Sequence, residues 1–261
     1  MDVGLGLLAT AAAVRRLRPD ADLVLSTDPD GLPWGVRSPE ELTARAVLVA
    51  GAAAGFEPDA LIVACNTACL VALPAIRDQL RPGTALLETV PPIADAVALG
   101  GPFAVWGTPA AVRSEGMRCL LRDLAADRAA TPVACDGLSQ AIERADDEAV
   151  AATLAEAVAL TPPGVRSVSL ACTHYDLIGP RIRTAFRLAG REVPVLHGTA
   201  PRLAAAALKA LGLPPRSDAP ATGGVTSLRS GRLEGLPPAA LAYPEGRLLS
   251  RGLATAGPLL S

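Results

Sequence analysis

Two short stretches of the chain are versions of one another. Leu61-Ile62-Val63-Ala64-Cys65-Asn66-Thr67 and Val168-Ser169-Leu170-Ala171-Cys172-Thr173-His174 are each an apolar, β-prone run that ends in Ala-Cys and passes into polar residues. Each then enters a helical pattern with a leucine at the same offset from the cysteine, Leu70 and Leu177. With a gap the match extends to Pro74-Ala75-Ile76-Arg77 against Pro180-Arg181-Ile182-Arg183. A duplicated strand–cysteine–helix unit predicts an α/β fold with parallel strands. It places one thiol at the C-terminal end of each of two strands, the end at which open α/β sheets bind ligands.

The rest of the chain alternates in the same way. Helical patterns are expected over 4–17, from Pro39 (with Ser38 as N-cap), over 67–80 and from Pro91; strands are expected over 22–26, 60–64 and 86–88. Residues 28–35, with two prolines and two glycines, read as a loop. A second series follows: strand 103–106, helix 109–125, a short strand 132–134, helices 138–145 and 147–160, strand 167–171, helix 177–188, strand 193–196 and helix 201–211. After 213 the density of Pro, Gly and Ser predicts irregular structure with one short strand at most. The expected architecture is two similar α/β lobes, their parallel sheets flanked by helices, with an active site in the cleft between them. Residues 1–97 and 206–261 form the first lobe and 98–205 the second.

Composition excludes several classes of function. A net charge of −2 gives no basic field for nucleic acid. No apolar run reaches the ~18 residues needed to span a bilayer, and the start lacks the basic and apolar segments of a signal peptide. A cytoplasmic protein with its five cysteines reduced is expected. The cysteine spacing does not form a zinc pattern, and no metal site is expected. Lys209 is the only lysine among 24 lysines and arginines, on the polar edge of an expected surface helix. Pyridoxal chemistry needs a buried Schiff-base lysine, so it is not expected.

The two cysteine motifs resemble those of the cofactor-independent glutamate racemases, within the aspartate/glutamate racemase superfamily. Val63-Ala64-Cys65-Asn66-Thr67-Ala68 is similar to the first motif of that family and Leu170-Ala171-Cys172-Thr173-His174-Tyr175 to the second. The resemblance spans most of residues 1–200. Asp2-Val3-Gly4-Leu5-Gly6 is similar to the family's N-terminal Asp-Ser-Gly-x-Gly, and the loop from Asp28 through Pro33-Trp34-Gly35 to its Asp-Thr-x-x-x-Pro-Tyr-Gly. Gly107-Thr108 with Ser114 matches a third loop, and Cys135 to Glu143 keeps the spacing of a segment ending in glutamate. The chain departs from the family at Val3 (serine there), Gly31 (arginine), Trp34 (tyrosine), Ala111 (threonine) and Met117 (tyrosine).

The resemblance implies a racemase without cofactor, in which Cys65 and Cys172 serve as the two bases. Either thiol alone fits an inert buried cysteine; the repeated setting favours catalysis, because inverting an α-carbon needs a base on one face and an acid on the other. Asp2 and His174 are the expected helpers of Cys65 and Cys172, and Glu143 assists near His174. Val3, Pro33, Trp34, Gly35, Asn66, Thr67, Thr108 and Thr173 are the expected substrate contacts; Asn66, Thr67 and Thr173 fit ordinary helix caps equally well. Cys69, Cys119, Cys135 and His197 read as structural. The implied role is supply of D-glutamate for peptidoglycan. Two alternatives stay open: the same mechanism on another amino acid, suggested by the altered contact set, or a non-catalytic, gyrase-inhibiting relative. An amino acid is the expected partner, without nucleic acid or membrane, and a homodimer is left open. The resemblance also implies a strand immediately before Asp2. That strand is expected to be encoded upstream, and its absence here leaves Asp2 near a terminus open to fraying.

Overall fold

The computed structural model describes residues 1–125 and 129–253. Chain order begins α1 (Leu7–Leu17), β1 (Leu23–Thr27), α2 (Pro39–Ala54), β2 (Ala60–Val63), α3 (Asn66–Val71), α4 (Leu73–Arg77), β3 (Ala85–Glu88) and α5 (Ile93–Leu99). It continues β4 (Phe103–Gly107), α6 (Pro109–Arg113), α7 (Glu115–Ala125), β5 (Ala130–Ala134), α8 (Leu138–Glu143), α9 (Asp147–Leu160), β6 (Ser167–Leu170), α10 (Gly179–Leu188) and β7 (Val195–His197). It closes with α11 (Ala200–Ala210), β8 (Val225–Arg229), β9 (Arg232–Leu233) and α12 (Pro244–Ser250). No described helix is long and apolar enough to cross a membrane.

Local chemistry explains the boundaries. Ser38 and Glu41 form a reciprocal capping box at the start of α2, with Pro39 in its first turn. The expected helix over 67–80 breaks at Ala72, because Pro74 has no N–H to give the carbonyl one turn back. The expected helix over 109–125 breaks at Ser114, which turns extended and caps α7 through Met117 N–H. Pro132 lies within β5, an edge strand of its sheet, where a missing N–H is tolerated.

The second lobe carries a parallel sheet in the order β5-β4-β6-β7, with β4 buried along its whole length. In the first lobe β1 pairs in parallel with β8, and β2 with β3. Here the expectation of an irregular tail with one strand at most is overturned. β8 is a core strand beside β1, and β9 returns antiparallel to it. Ser230 and Gly231, both at positive φ, make the turn between them. Pro244 then starts α12, which packs on α1. Helix α1 joins the two lobes: Leu7, Leu8 and Ala11 share one core cluster with Trp106, Leu154 and Phe186 of the second lobe and with Leu25 and Val225 of the first.

The fraying expected at Asp2 is also overturned. Residues 1–3 run between β1 and β2. The Met1 ammonium donates to Ile62 C=O at 2.7 Å, and Ala64 N–H donates to Met1 C=O at 2.8 Å. On the other side Asp2 N–H donates to Ser26 C=O and Asp28 N–H to Val3 C=O, both at 3.1 Å. These bonds hold both backbone flanks of the Asp2 carboxylate.

Candidate active site

Each cysteine ends its strand in the same manner. Cys65 follows β2 in extended conformation and precedes α3; Cys172 follows β6 in extended conformation and precedes a turn of 3-10 helix over Thr173–Ile178. The two motifs meet across the lobes. Asn66, next to Cys65, donates its side-chain N–H to the carbonyl of Ala171, next to Cys172, at 2.8 Å. Asn66 Oδ1 is buried without a partner among the described residues, an acceptor free for a donor such as an ammonium.

Asp2, 1% exposed, reaches from the first lobe into the second motif. Its Oδ2 accepts the Thr173 hydroxyl at 3.0 Å. His174 stands between Cys172 and Glu143, with Nδ1 3.8 Å from Cys172 Sγ and Nε2 2.9 Å from Glu143 Oε2. The same Glu143 oxygen accepts Leu5 N–H at 2.7 Å, so Glu143 ties the imidazole to the start of α1. Burial opposes charge on His174, yet its contacts with Cys172 and Glu143 and the field of Asp2 outweigh that and hold its pKa well above 6.5. These contacts favour the imidazolium form of His174. Burial, and after it the charge of Asp2, push the Cys65 thiol well above 9, so Cys65 rests protonated. The two thiols thus have opposite settings: one beside a carboxylate, the other beside a cation.

Glycines make room for this cluster. A Cβ on Gly4 would lie 2.6 Å from Glu143 Cδ, and one on Gly6 would strike Asp2 Oδ2 and Thr173 Oγ1 and lie 2.9 Å from His174 Nδ1. The sequence contains these glycines in the Asp2 motif, but their function became visible only through contacts with residues 143–174.

The remaining expected contacts sit around the cluster. Val3 is half-buried against the first-lobe core. Trp34 is buried in that same cluster with Cys65, while Pro33 and Gly35 are exposed. Trp34 Nε1 donates to Asp28 Oδ2 at 2.7 Å, and Arg45 and Ser230 also bind that carboxylate. Burial pushes Asp28 upward, but these three partners outweigh it and hold its pKa below the usual carboxylate value. Arg45 and Ser230 were not among the residues expected to shape this loop. Gly35 faces Ala110 of α6, where Thr108 caps the helix by accepting Ala111 N–H at 3.3 Å. Thr67 is half-buried in the first turn of α3. Met117 is 4% exposed in the second-lobe core, among Ile93, Phe103 and Val105. Cys69 and Cys135 point at backbone carbonyls, those of Val63 and Val133. No group of three or more metal-ligating side chains occurs among the described residues.

Asp2 supplies a pH prediction. Burial pushes its pKa up to about 6, against the lowering pull of His174, the Thr173 hydroxyl and Val3 N–H. A folded-state pKa above the unfolded value near 3.8 means that the folded form binds the proton more tightly. Asp2 therefore favours folding most below about pH 4, and that contribution is lost as pH rises to about 6. Melting temperatures of the native protein and Asp2→Asn, compared from pH 3.5 to 7, should diverge over that window in favour of the amide as pH rises. A constant difference would remove Asp2 as a titrating group there.

The family model for Asp/Glu/hydantoin racemases matches residues 7–207. The chain is 30% identical to a glutamate racemase of Roseiflexus sp. (strain RS-1) over 75% of its own length and 72% of the relative's. It is 33% identical to a glutamate racemase of Granulibacter bethesdensis over 70% of this chain and 68% of that one. Its fold matches the crystal structure of Escherichia coli glutamate racemase with a TM-score of 0.76, at 21% identity, over 92% of this chain and 90% of that chain.

Proposed function

The chain belongs to the Asp/Glu/hydantoin racemase family, and from that premise we propose that it interconverts L- and D-glutamate without a cofactor, with Cys65 and Cys172 as the two bases. The observation that carries the reading is the opposite setting of two thiols at the ends of matching strands. In one direction Cys172, beside His174, acts as the base: as a thiolate it takes the α-proton from one face and becomes a thiol. The Cys65 thiol gives its proton to the opposite face and becomes a thiolate. The return reaction starts from that state with the roles exchanged. Asp2 lies beside Cys65; Glu143 orients His174. Asn66 Oδ1, without a partner among the described residues, together with Thr67 and Thr173, is the proposed contact set for the ammonium and carboxylate of the amino acid. Lys209, exposed on α11, is not set up as a Schiff-base lysine. The product D-glutamate is assigned to peptidoglycan synthesis in the cytoplasm.

The test is Cα exchange in heavy water, followed by NMR and chiral analysis with L-glutamate and a panel of other L-amino acids. Loss of the Cα–H signal and appearance of D-glutamate are expected. Persistence of every Cα–H would rule out a racemase and favour a non-catalytic relative. Exchange at another amino acid but not glutamate would install the second reading, which Val3, Ala111 and the buried Met117 favour. A site lacking two hydroxyls holds a distal carboxylate poorly. Val3→Ser combined with Ala111→Thr is accordingly expected to raise kcat/KM for glutamate about tenfold. An unchanged value would show that neither position contacts the substrate.

A further inference from the structure

Asp28 follows β1 and is fully buried, and both of its carboxylate oxygens are filled. Arg45 of α2 forks onto them, Nε to Oδ2 at 2.8 Å and Nη2 to Oδ1. Trp34 Nε1 donates to the same Oδ2 at 2.7 Å, and Ser230 Oγ donates to Oδ1 at 2.9 Å. Asp30 N–H in turn donates to Ser230 Oγ at 3.1 Å, which ties the loop over 28–35 to the turn between β8 and β9. Gly31 is what admits the arginine. A Cβ there would strike Asp28 Oδ2 and lie 2.9 Å from Arg45 Nε.

The carboxylate fixes where Trp34 goes. An indole has a single polar hydrogen, and burying the ring is favourable when that N–H finds an acceptor. Asp28 supplies the acceptor from inside the loop, so the ring turns inward. It packs in the buried cluster that holds Leu42, Ala46, Val63 and Cys65. The next residue faces the other lobe: a Cβ on Gly35 would lie 3.8 Å from the Ala110 methyl of α6. The loop therefore stands on the Cys65 side of the cleft, with its edge against the second lobe. An ionised Asp28 holds the indole there only while a cation balances it, because removing one member of a buried pair leaves the other uncompensated. The Arg45 side chain bonds to Asp28 and Ser230, so its influence on Cys65 passes through Trp34.

We propose that Arg45 is a positioning residue for Cys65: its fork on the Asp28 carboxylate keeps the Trp34 ring seated as the wall on the Cys65 side of the cleft. Ser230 gives the β8–β9 turn a share in the same task, since it holds the oxygen that Trp34 leaves free. The effect is one-sided. Trp34 packs in the cluster of Cys65, whereas Cys172 packs against the separate cluster that contains Trp106 and Phe186. The kinetic part of the proposal rests on the reading of Cys65 as one of two bases; the structural part does not.

The test compares three variants of the full chain. Arg45→Met removes the charge and keeps an apolar stem, Asp28→Asn with Arg45→Met removes both charges, and Arg45→Lys keeps the charge without the fork. The chain has two tryptophans, so Trp34→Phe assigns both indole N–H signals in a nitrogen–proton NMR spectrum. In Arg45→Met the Trp34 signal should move and its proton should exchange with water at least about tenfold faster. The Trp106 signal, from an N–H bonded to Thr161 Oγ1 at 2.9 Å, should stay. Iodoacetamide, read by mass spectrometry of the cysteine peptides, should label Cys65 at least about tenfold faster, with Cys135 and Cys172 within about twofold of native. The double variant should return exchange and labelling to within about threefold of native, because the amide gives the indole a neutral acceptor. Arg45→Lys should lie between native and Arg45→Met. In turnover, Arg45→Met should lose about tenfold in HX elimination from the β-halogenated enantiomer that Cys172→Ser still processes, and less than about twofold from its mirror image. An unmoved Trp34 signal with native labelling of Cys65 in Arg45→Met overturns the proposal. So does labelling that rises equally at Cys135, which marks a general loosening, or a double variant as reactive as Arg45→Met, since Arg45 would then not act through Asp28. If Arg45→Met does not fold, native exchange and labelling in Arg45→Lys overturn it. Equal losses on both enantiomers end the one-sided role. No turnover in the native protein removes the racemase reading instead, and leaves the NMR and labelling outcomes to decide the seat of Trp34.

Discussion

Cys65→Ser and Cys172→Ser should each lower racemisation by about 10³-fold or more while leaving the fold intact. General acid–base groups contribute about 10²–10⁴-fold, and a serine hydroxyl is far too weak an acid to supply an alkoxide at neutral pH. The substitution is nearly isosteric, and the Cys65 thiol has no side-chain capping bond to lose. Melting temperatures within about 2 °C of the native value are therefore expected. The two variants should fail in the same full reaction yet keep different halves of it. A single remaining base still removes an α-proton, so each variant should eliminate HX from a β-halogenated amino acid, and the two should prefer opposite enantiomers. Chiral analysis of racemisation and a pyruvate assay of elimination read the two quantities separately. Racemisation near the native rate in either variant would end the two-base assignment. Elimination of the same enantiomer by both would place the thiols on one face and end it as well.

The site was legible where its chemistry is contiguous in sequence. Cys172, Thr173 and His174 are consecutive, and the matching Cys65 and Asn66 repeat the arrangement, so one strand end displays each set. Glu143 was legible through spacing alone, and its bond to His174 Nε2 gives it a place. The glycines were not legible as functional, because what they make room for lies on the other lobe. Neither Gly4 nor Gly6 has a positive φ, and their reason is the space that Glu143, Asp2, Thr173 and His174 occupy. The same holds for Ser230, which binds Asp28 from 202 positions away through the pairing of β8 with β1.

The tail misled for a physical reason. Pro, Gly and Ser between 213 and 224 do form loop, but Val225-Thr226-Ser227-Leu228-Arg229 is a short β-prone run ended by Ser230-Gly231. Turn residues in such a place end a strand rather than deny it. Buried strands this short carry too few residues for periodicity to show. The start of the chain misled in the opposite direction. A carboxylate at position 2 has no local reason to be ordered, yet four backbone bonds from β1 and β2 order residues 1–3. Long-range pairing decided both ends.

Gly6→Ala is the substitution expected to do most damage with the fewest atoms. Its Cβ would strike Asp2 Oδ2 and Thr173 Oγ1 and lie 2.9 Å from His174 Nδ1. None of these neighbours is a loose surface chain. Asp2 is held through its own N–H by Ser26 and through Oδ1 by Val3 N–H, Thr173 by its bond to Asp2, and His174 between Cys172 and Glu143. The methyl group therefore either pushes α1 off the second lobe or drives the Asp2 carboxylate out of its site. Overpacking of this kind costs about 1–3 kcal/mol, or a melting temperature lower by about 2–10 °C. Displacing the groups around both thiols by an ångström should cost kcat about 10²-fold. Gly235→Ala is the control: nothing among the described residues lies within 4 Å of a Cβ there, and stability and turnover should not change. A general loss of packing and a specific loss of the site separate in the pH dependence. If Asp2 is expelled into water, its titration falls from about 6 toward 3.8, and the effect of adding Asp2→Asn no longer varies with pH over that window in the Gly6→Ala background. Native turnover in Gly6→Ala, with that pH-dependent divergence intact, would show that the cluster relaxes around a methyl group and that the glycine is not required for position.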